Sequence, residues 1–185
     1  LEQLIEIVID SYKSEIKSIP YLPFEDNYVV EIERYLKDLI NNGTGVVAID
    51  NNELIGFLAG YKIKEFWGNC KGIYSPDFGH GVKCKNKEKI YQILYENAAK
   101  KWVEENYTHH ALTIYAHQKN TINTFFWLGF GLRCIDAIRQ VNSLENINPD
   151  VRITKMKRSN ISKLAEVQEK LHNYFSKSPI FMPVE

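Results

Sequence analysis

Apolar residues open the chain at three- and four-residue spacing: Leu1, Leu4, Ile5, Val8, Ile9, Tyr12 and Ile16. That period places them on one face of an amphipathic helix. Pro20 and Pro23 end it. A second helix fits Val29, Val30, Ile32, Tyr35, Leu36, Leu39 and Ile40, and Asn41-Asn42-Gly43 supplies the stop. Gly and Asn tolerate the left-handed conformation that helix ends use. The pattern then shortens. Gly45-Val46-Val47-Ala48-Ile49 is β-branched, Asp50-Asn51-Asn52 is a turn cluster, and Glu53 to Ile63 reads as a second strand. Together they predict a hairpin. Lys71-Gly72-Ile73-Tyr74 predicts a third strand, ended at Ser75-Pro76 because proline removes a ladder donor.

A helix follows from about Lys87 to Glu105, with Ile90, Ile93, Leu94, Ala98 and Trp102 inward. Ala111 to Tyr115 is a compact strand. Asn120 or Thr121 caps a short helix that ends at Leu128, and Gly129 breaks it. Trp102, Phe126 and Trp127 sit at helical spacing and read as core. Leu132 to Val141 reads as the next strand. Residues 143–150 are polar, contain Pro149, and read as a linker. Val151 to Met156 then looks like a new strand. Ser159 or Asn160 caps a helix carrying Ile161, Leu164, Val167, Leu171 and Tyr174. This order predicts an α/β fold, with an antiparallel hairpin early and helix-connected strands later.

Composition narrows the classes. At roughly 150 residues per domain the 185 residues amount to about 1.2 domains. The 23 basic and 23 acidic side chains cancel. Nothing electrostatic then favours nucleic acid or an anionic membrane as partner. No apolar run approaches the roughly 18 residues of a membrane span. The first residues are a charged amphipathic stretch, unlike a signal peptide. Cys70, Cys84 and Cys134 are isolated, so neither a disulfide framework nor a zinc site is expected. The five histidines are dispersed and show no metal-ligand spacing. A cytoplasmic location is the expectation.

Three stretches resemble the GNAT acetyltransferase superfamily. They are the hairpin Gly45–Ile49 with Leu54-Ile55-Gly56-Phe57-Leu58, the helix Tyr91 to Trp102, and Leu112-Thr113-Ile114-Tyr115 through Phe125-Phe126-Trp127-Leu128-Gly129-Phe130-Gly131. The Leu-Gly-Phe turn in the last is the most specific. The match runs from about Leu1 to Gln140 and lacks the family's first strand. Residues 1–142 are thus expected to be one GNAT-like domain with a mixed, mostly antiparallel sheet flanked by helices. Residues 151–185 resemble the start of a second copy, as in a tandem protein. The alternative is a βα unit decorating the first domain. An edge left open by the missing strand could take Val151 to Lys155, from the same chain or from a partner in a homodimer.

The resemblance implies acetyl-CoA and a small-molecule amine acceptor. It implies a strand that splays from its neighbour and offers free backbone donors, here Gly72, Ile73 and Tyr74. It also implies a glycine-rich loop on the pyrophosphate, where a helix N-terminus attracts negative charge. The family's glycine positions fall on Lys85 to Ile90, which holds no glycine; Gly79 and Gly81 lie earlier, and Lys85 and Lys87 offer charge. Many family members protonate the departing thiolate with a tyrosine four residues before the Leu-Gly-Phe glycine. That position is Phe125, which cannot be an acid. The family's helix-start Asn maps to Gln118, with Asn120 two residues on. Tyr115, His80 and Asn120 are the catalytic candidates, His80 as a base that titrates near neutrality. A non-catalytic module supporting an active second copy is the alternative reading.

Four further readings complete the candidates. His109 and His110 are adjacent on a strand and face opposite ways. Phe66 and Trp67 could wall an acceptor pocket. Glu53 and Asp77 could form an acid/base pair, although sequence gives no distance between them. Cys70 and Cys84 lie beside lysines, which lowers a thiol pKa, yet no Cys–His arrangement is visible.

Overall fold

The apolar period of the first forty residues does form helices. A computed structural model describes residues 1–25, 27–66, 68–138, 155 and 157–176. The chain divides into two units, Leu1–Gly131 and Leu132–Glu185. In the first, α1 spans Glu2–Ser18 and α2 spans Tyr28–Asn42. Ile7, Val8 and Ile9 of α1 meet Ile32 and Leu36 of α2 in one buried cluster with Phe57. Leu1 lies outside it, exposed at the helix start. Among the described residues no helix is long and apolar enough to cross a membrane.

The hairpin forms as expected, from β1 (Gly43–Asp50) and β2 (Glu53–Ile63). Asn51 and Asn52 take φ of 47° and 66°. Two positive φ values are what a two-residue type I′ turn needs, and Asn reaches them more easily than most residues. β3 (Gly72–Ser75) and β4 (His80–Val82) both pair antiparallel with β2, at Tyr61–Ile63 and Gly56–Leu58 respectively. They are two halves of one strand, interrupted by a bulge at residues 76–79. The Gly79 N–H donates to Pro76 O at 2.8 Å, and the Ala59 N–H reattaches the chain through Gly79 O at 2.7 Å. Proline does stop β3, but β2 runs on past it and offers β4 a second ladder.

α3 (Lys87–Glu104) starts on Asn86, whose side chain accepts the Lys89 N–H at 3.3 Å. It ends in a Schellman motif, with Tyr107 N–H on Trp102 O and Asn106 N–H on Val103 O, both 2.9 Å, and Asn106 at φ 67°. β5 (His109–Leu112) then runs parallel to β3, from Gly72↔His109 to Ser75↔Leu112. This corrects the expected strand at Ala111 to Tyr115. The ladder begins where β3 begins, and its last bond is Thr113 N–H to Ser75 O at 3.0 Å. α4 (Lys119–Trp127) closes in a second Schellman motif. Gly129 sits at φ 93°, Phe130 N–H reaches Phe125 O at 3.0 Å, and the two phenyl rings meet at 5.2 Å. The Leu128-Gly129-Phe130 turn is therefore a helix stop locked by an aromatic contact.

The sheet order is β1-β2-β3-β5, with β4 also on β2. α1 and α2 cover one face. α3 and α4 cover the other, where Leu58, Ile73, Val82, Leu94, Trp102 and Phe125 are buried. Trp102 is 1% exposed, but Phe126 is 44% and Trp127 88% exposed, against the core reading. α4 buries Thr121 and Phe125 one turn apart, which turns Phe126 and Trp127 roughly 100° and 200° away.

In the second unit, residues 132–138 form neither helix nor strand, and Leu132, Ile135 and Ile138 are exposed. That part of the expected strand Leu132–Val141 does not form, because a strand needs a ladder partner and none occurs there among the described residues. Residues 139–141, the expected linker at 143–150 and most of the strand expected at 151–156 lie outside the described residues. α5 (Ile161–Ser176) follows a short 3₁₀ turn at Arg158–Asn160 and carries the expected apolar stripe, which is exposed.

Candidate active site

The site begins where two ladders stop coinciding. β3 and β5 stay together through Ser75 and Thr113. Beyond that, the bulge carries one chain back onto β2 as β4, and the other runs on through Ile114 and Tyr115. β4 has a ladder on one side only. Gly79 O accepts from Ala59 N–H, and Lys83 N–H donates to Ile55 O, so residues 79, 81 and 83 face β2. By the alternation of an antiparallel ladder, the backbone groups of His80 and Val82 face the opening. This moves the free backbone from its expected place. Gly72, Ile73 and Tyr74 are paired with β2 on one side and β5 on the other, so they have no donors to spare. Ile73 is buried in the core and the Tyr74 hydroxyl lies 2.8 Å from Thr113 Oγ1.

A cleft of about 380 Å³ lies beside β4. Ile7, Asp10, Ser11 and Ser14 of α1 form one wall, and Val82 to Lys85 with Lys87 form another. Tyr91, His117 and Gln118 complete it. Lys85 and Lys87 are thus placed in the cleft, next to the α3 N-terminus. Gly79 and Gly81 are not open to it as phosphate cradles. A Cβ on Gly81 would stand 2.3 Å from Ile7 Cγ2, and one on Gly79 would stand 2.8 Å from Ala59 O. Their missing side chains let α1 and β2 approach. Gly72 is explained the same way, since a Cβ there would meet the Phe66 ring at 2.0 Å. Phe66 is buried on Gly72 and does not line this cleft; Trp67 lies outside the described residues.

His80 is 4% exposed and sits at the apex of the divergence. Its Nε2 is 2.9 Å from Thr113 O. A carbonyl only accepts, so Nε2 carries the proton. Nδ1 then accepts from the Tyr91 hydroxyl at 3.1 Å. Burial lowers the His80 pKa, partly opposed by the Thr113 bond and by the Asp77 charge. The imidazole is therefore a neutral tie between β4 and the end of β5. Its free lone pair is occupied by Tyr91, and Tyr91 is the member of the pair that lines the cleft. Any proton reaching His80 Nδ1 from the cleft passes through that hydroxyl.

Tyr115 donates to Asp77 Oδ2 at 2.8 Å. Burial, then the Asp77 charge, raises the Tyr115 pKa, so this phenol stays protonated and is a poor acid. Asp77 lies in the bulge, so it joins Tyr115 and His80 at one vertex; Glu53 is exposed at the far end of β2. Asn120 is not part of the vertex. Its amide donates to Glu88 Oε1 at 2.7 Å and clamps α4 to the first turn of α3. Phe125 is 2% exposed, its ring 5.7 Å from that of Tyr91. His110 is half-buried and repeats the His80 arrangement, with Tyr95 on Nδ1 at 3.0 Å and Tyr107 O on Nε2 at 2.9 Å; His109 is exposed.

Glu15, Ser11, Tyr12 and Tyr28 were not singled out from sequence, whereas Gln118 was, as the position of the family's helix-start Asn, and His117 was read as lying near the cleft. Glu15 is buried, and His117 Nδ1 donates to its Oε2. Its signal was a carboxylate three residues after Tyr12 on the inward face of α1. Gln118 Nε2 donates to Ser11 Oγ at 2.8 Å, a second tie between α1 and the start of α4. Tyr12 and Tyr28 stack at 4.2 Å near Asp77, and Tyr91 was read only as the start of a helix.

The mixed sheet, flanked by helices and split where β5 leaves β4, is an acetyltransferase-like fold. A tetramutant of the BH1408 protein of Bacillus halodurans matches with TM-score 0.59 and 12% identity, over 77% of this chain and 93% of that one. A predicted acetyltransferase with acetyl-CoA from Clostridium acetobutylicum gives TM-score 0.55 and 16% identity, over 77% of this chain and 89% of that one. A probable acetyltransferase gives 0.51 and 15%, over 78% and 95%. No protein-family model and no curated protein matches the chain. At these identities the likeness shows the fold alone.

Proposed function

We propose that this chain is a GNAT-type N-acyltransferase that moves an acetyl group from acetyl-CoA to a small amine. One observation carries the reading: β4 stays on β2 while β5 stops, which leaves the His80 and Val82 backbone turned away from β2, and Val82 lines a cleft of about 380 Å³. The solved Clostridium acetobutylicum relative with acetyl-CoA supports it at the level of fold. When bound, acetyl-CoA supplies the thioester. The chain's own parts would then divide the work. The outward backbone of β4 offers hydrogen-bond partners to an amide-bearing chain. Lys85, Lys87 and the α3 N-terminus face the cleft with positive charge, which suits phosphates without glycine. Backbone N–H groups near the vertex stabilise negative charge on a carbonyl oxygen. Burial raises the Tyr91 pKa as it does that of Tyr115, so Tyr91 stays protonated; donating to His80 Nδ1, it is the hydroxyl placed to relay a proton along that bond.

A non-catalytic module is the second reading, favoured by a specific observation. Gly79 and Gly81 serve packing, and Phe125 is sealed in the core where many family members keep an acid. Titration calorimetry of the 185-residue chain with acetyl-CoA separates the two. Saturable binding, weakened about tenfold in Lys85→Glu/Lys87→Glu, supports the first. No binding by a folded chain leaves the second.

A further inference from the structure

The carboxylate of Asp77 lacks what such a group needs. It is half-buried in the bulge between β3 and β4. Among the described residues the groups that feel its charge are three phenols and the buried His80. Tyr115 donates to it at 2.8 Å, and its charge also raises the pKa of Tyr12 and Tyr28, after burial itself. Among the described residues no lysine or arginine pairs with it; the ion pairs there belong to Arg34, Lys37, Lys62, Lys83 and His117. Glu15 supplies the contrast. It is a buried carboxylate of α1, and the fold brings His117 to it from 102 residues away. A carboxylate withdrawn from water is costly unless a positive charge compensates it. Among the described residues Glu15 is met by an imidazole, which can carry such a charge, and Asp77 by a phenol, which cannot.

The surroundings state which cation fits. Tyr12 stacks on Tyr28 at 4.2 Å, and Tyr12 and Tyr115 stand 6.4 Å apart and tilted. Phe24, 5.6 Å from Tyr28, already carries a cation of the chain, with Lys13 Nζ 5.8 Å from its ring centre. Aromatic faces attract cations, most of all beside a carboxylate and out of bulk water. The group adjoins the cleft, because the cleft-lining His117 stacks on Tyr115 at 6.2 Å.

We infer that Asp77, with Tyr12, Tyr28 and Tyr115, binds an alkylammonium group, and that it is the anchoring charge of the acceptor. The second half rests on the acyltransferase reading. An ammonium paired with Asp77 is protonated and has no lone pair to attack a thioester. The reacting amine is therefore a second nitrogen on the same molecule, and the acceptor class is a diamine or polyamine.

The test uses the full 185-residue chain and three probes that share a five-carbon chain: 1,5-diaminopentane, 1-aminopentane and 1-pentanol. Binding is followed by calorimetry and by shifts of the tyrosine ring protons. The diamine and the monoamine should both bind and move the rings of Tyr12, Tyr28 and Tyr115, and the alcohol should not. Asp77→Asn should weaken the diamine about tenfold or more, as expected for a charge-assisted contact. Equal binding by amines and alcohol, or absence of the tyrosine shifts in the unmutated chain, overturns the site without relying on any variant. Acetyl-CoA binding is measured separately. If acetyl-CoA binds and the amines do not, the ammonium site is wrong and the acyltransferase reading stands. If the amines bind through Asp77 and acetyl-CoA does not, the reverse holds. If both bind and turnover is as fast with the monoamine as with the diamine, Asp77 is not an anchor and the acceptor class is overturned.

Discussion

Gly81 offers the sharpest test of whether the β4 glycines serve packing or phosphate. A Cβ there would stand 2.3 Å from Ile7 Cγ2, against an ordinary carbon–carbon contact of about 3.5–4.0 Å. More than an ångström must be found. Ile7 is 3% exposed, and Cγ2 is bonded directly to Cβ, so it moves only if χ1 turns or α1 shifts. In a helix a β-branched χ1 is held to one rotamer. β4 cannot retreat either, since Gly81 is laddered to Phe57. Overpacking of this kind costs about 1–3 kcal/mol. Gly81→Ala should therefore lower the urea midpoint by about 1 M, given a slope of about 1–3 kcal/mol per molar. The buried Trp102 provides the fluorescence signal. Ile7→Ala alone should cost about 2–5 kcal/mol through the cavity it leaves. In the double variant the new methyl enters that cavity. Its cost should fall short of the sum of the singles by about 1–3 kcal/mol, a coupling typical of touching residues. Additive singles, or a Gly81→Ala change below about 0.5 kcal/mol, would refute the packing account. A loss of acetyl-CoA affinity with unchanged stability would restore the phosphate one.

Two further outcomes follow from burial. Trp127→Lys should leave stability within about 0.5 kcal/mol, whereas Trp102→Ala should cost about 3–5 kcal/mol, both measured by urea unfolding. Stability should also fall on the acid side of neutrality. Burial pushes His80 below its ordinary value of 6.5, so below that pH the unfolded chain takes up a proton that the folded chain refuses. Each such histidine removes up to about 1.4 kcal/mol per pH unit until its folded pKa is reached. His110 adds to the trend, lowered first by its own burial. His80→Gln, which can still donate to Thr113 O and accept from Tyr91, should flatten the pH dependence of the melting temperature between pH 6.5 and 5. An unchanged slope would mean that His80 is protonated in the fold.

How legible all this was depended on whether the cause was local. α1, α2 and α3 follow from a 3.6-residue apolar period, and β2 from a hairpin whose turn residues demand positive φ. β4 has no such signature. His80-Gly81-Val82 is a strand because β2 continues past Pro76 and has ladder sites left, a fact about residues 56–58. β5 was displaced for the same reason: its limits are set by β3, not by its own sequence. The site was harder still. Glu15 with His117, Ser11 with Gln118, and Asp77 with Tyr115 each join positions tens of residues apart. What sequence did offer was residue type in an odd place, such as a carboxylate on the inward stripe of α1.

Phe125 brings the fold and the missing acid together, and it can be tried directly. Its carbonyl receives Phe130 N–H, and its ring sits among Tyr91, Tyr95 and Phe130 at 5.7, 5.9 and 5.2 Å. It is the anchor that stops α4. Phe125→Tyr adds a hydroxyl to this sealed position. Of the nearby polar atoms, His80 Nδ1 is occupied by Tyr91 and His110 Nδ1 by Tyr95. A buried hydroxyl without a partner costs about 1–3 kcal/mol. The variant should therefore be less stable by that amount in urea, with acetyl-CoA affinity unchanged. If instead it is as stable as the unmutated chain, its hydroxyl has reached the cleft. A rise in acetyl transfer would then show that the position was open all along, and that Tyr91 is not the hydroxyl serving the site.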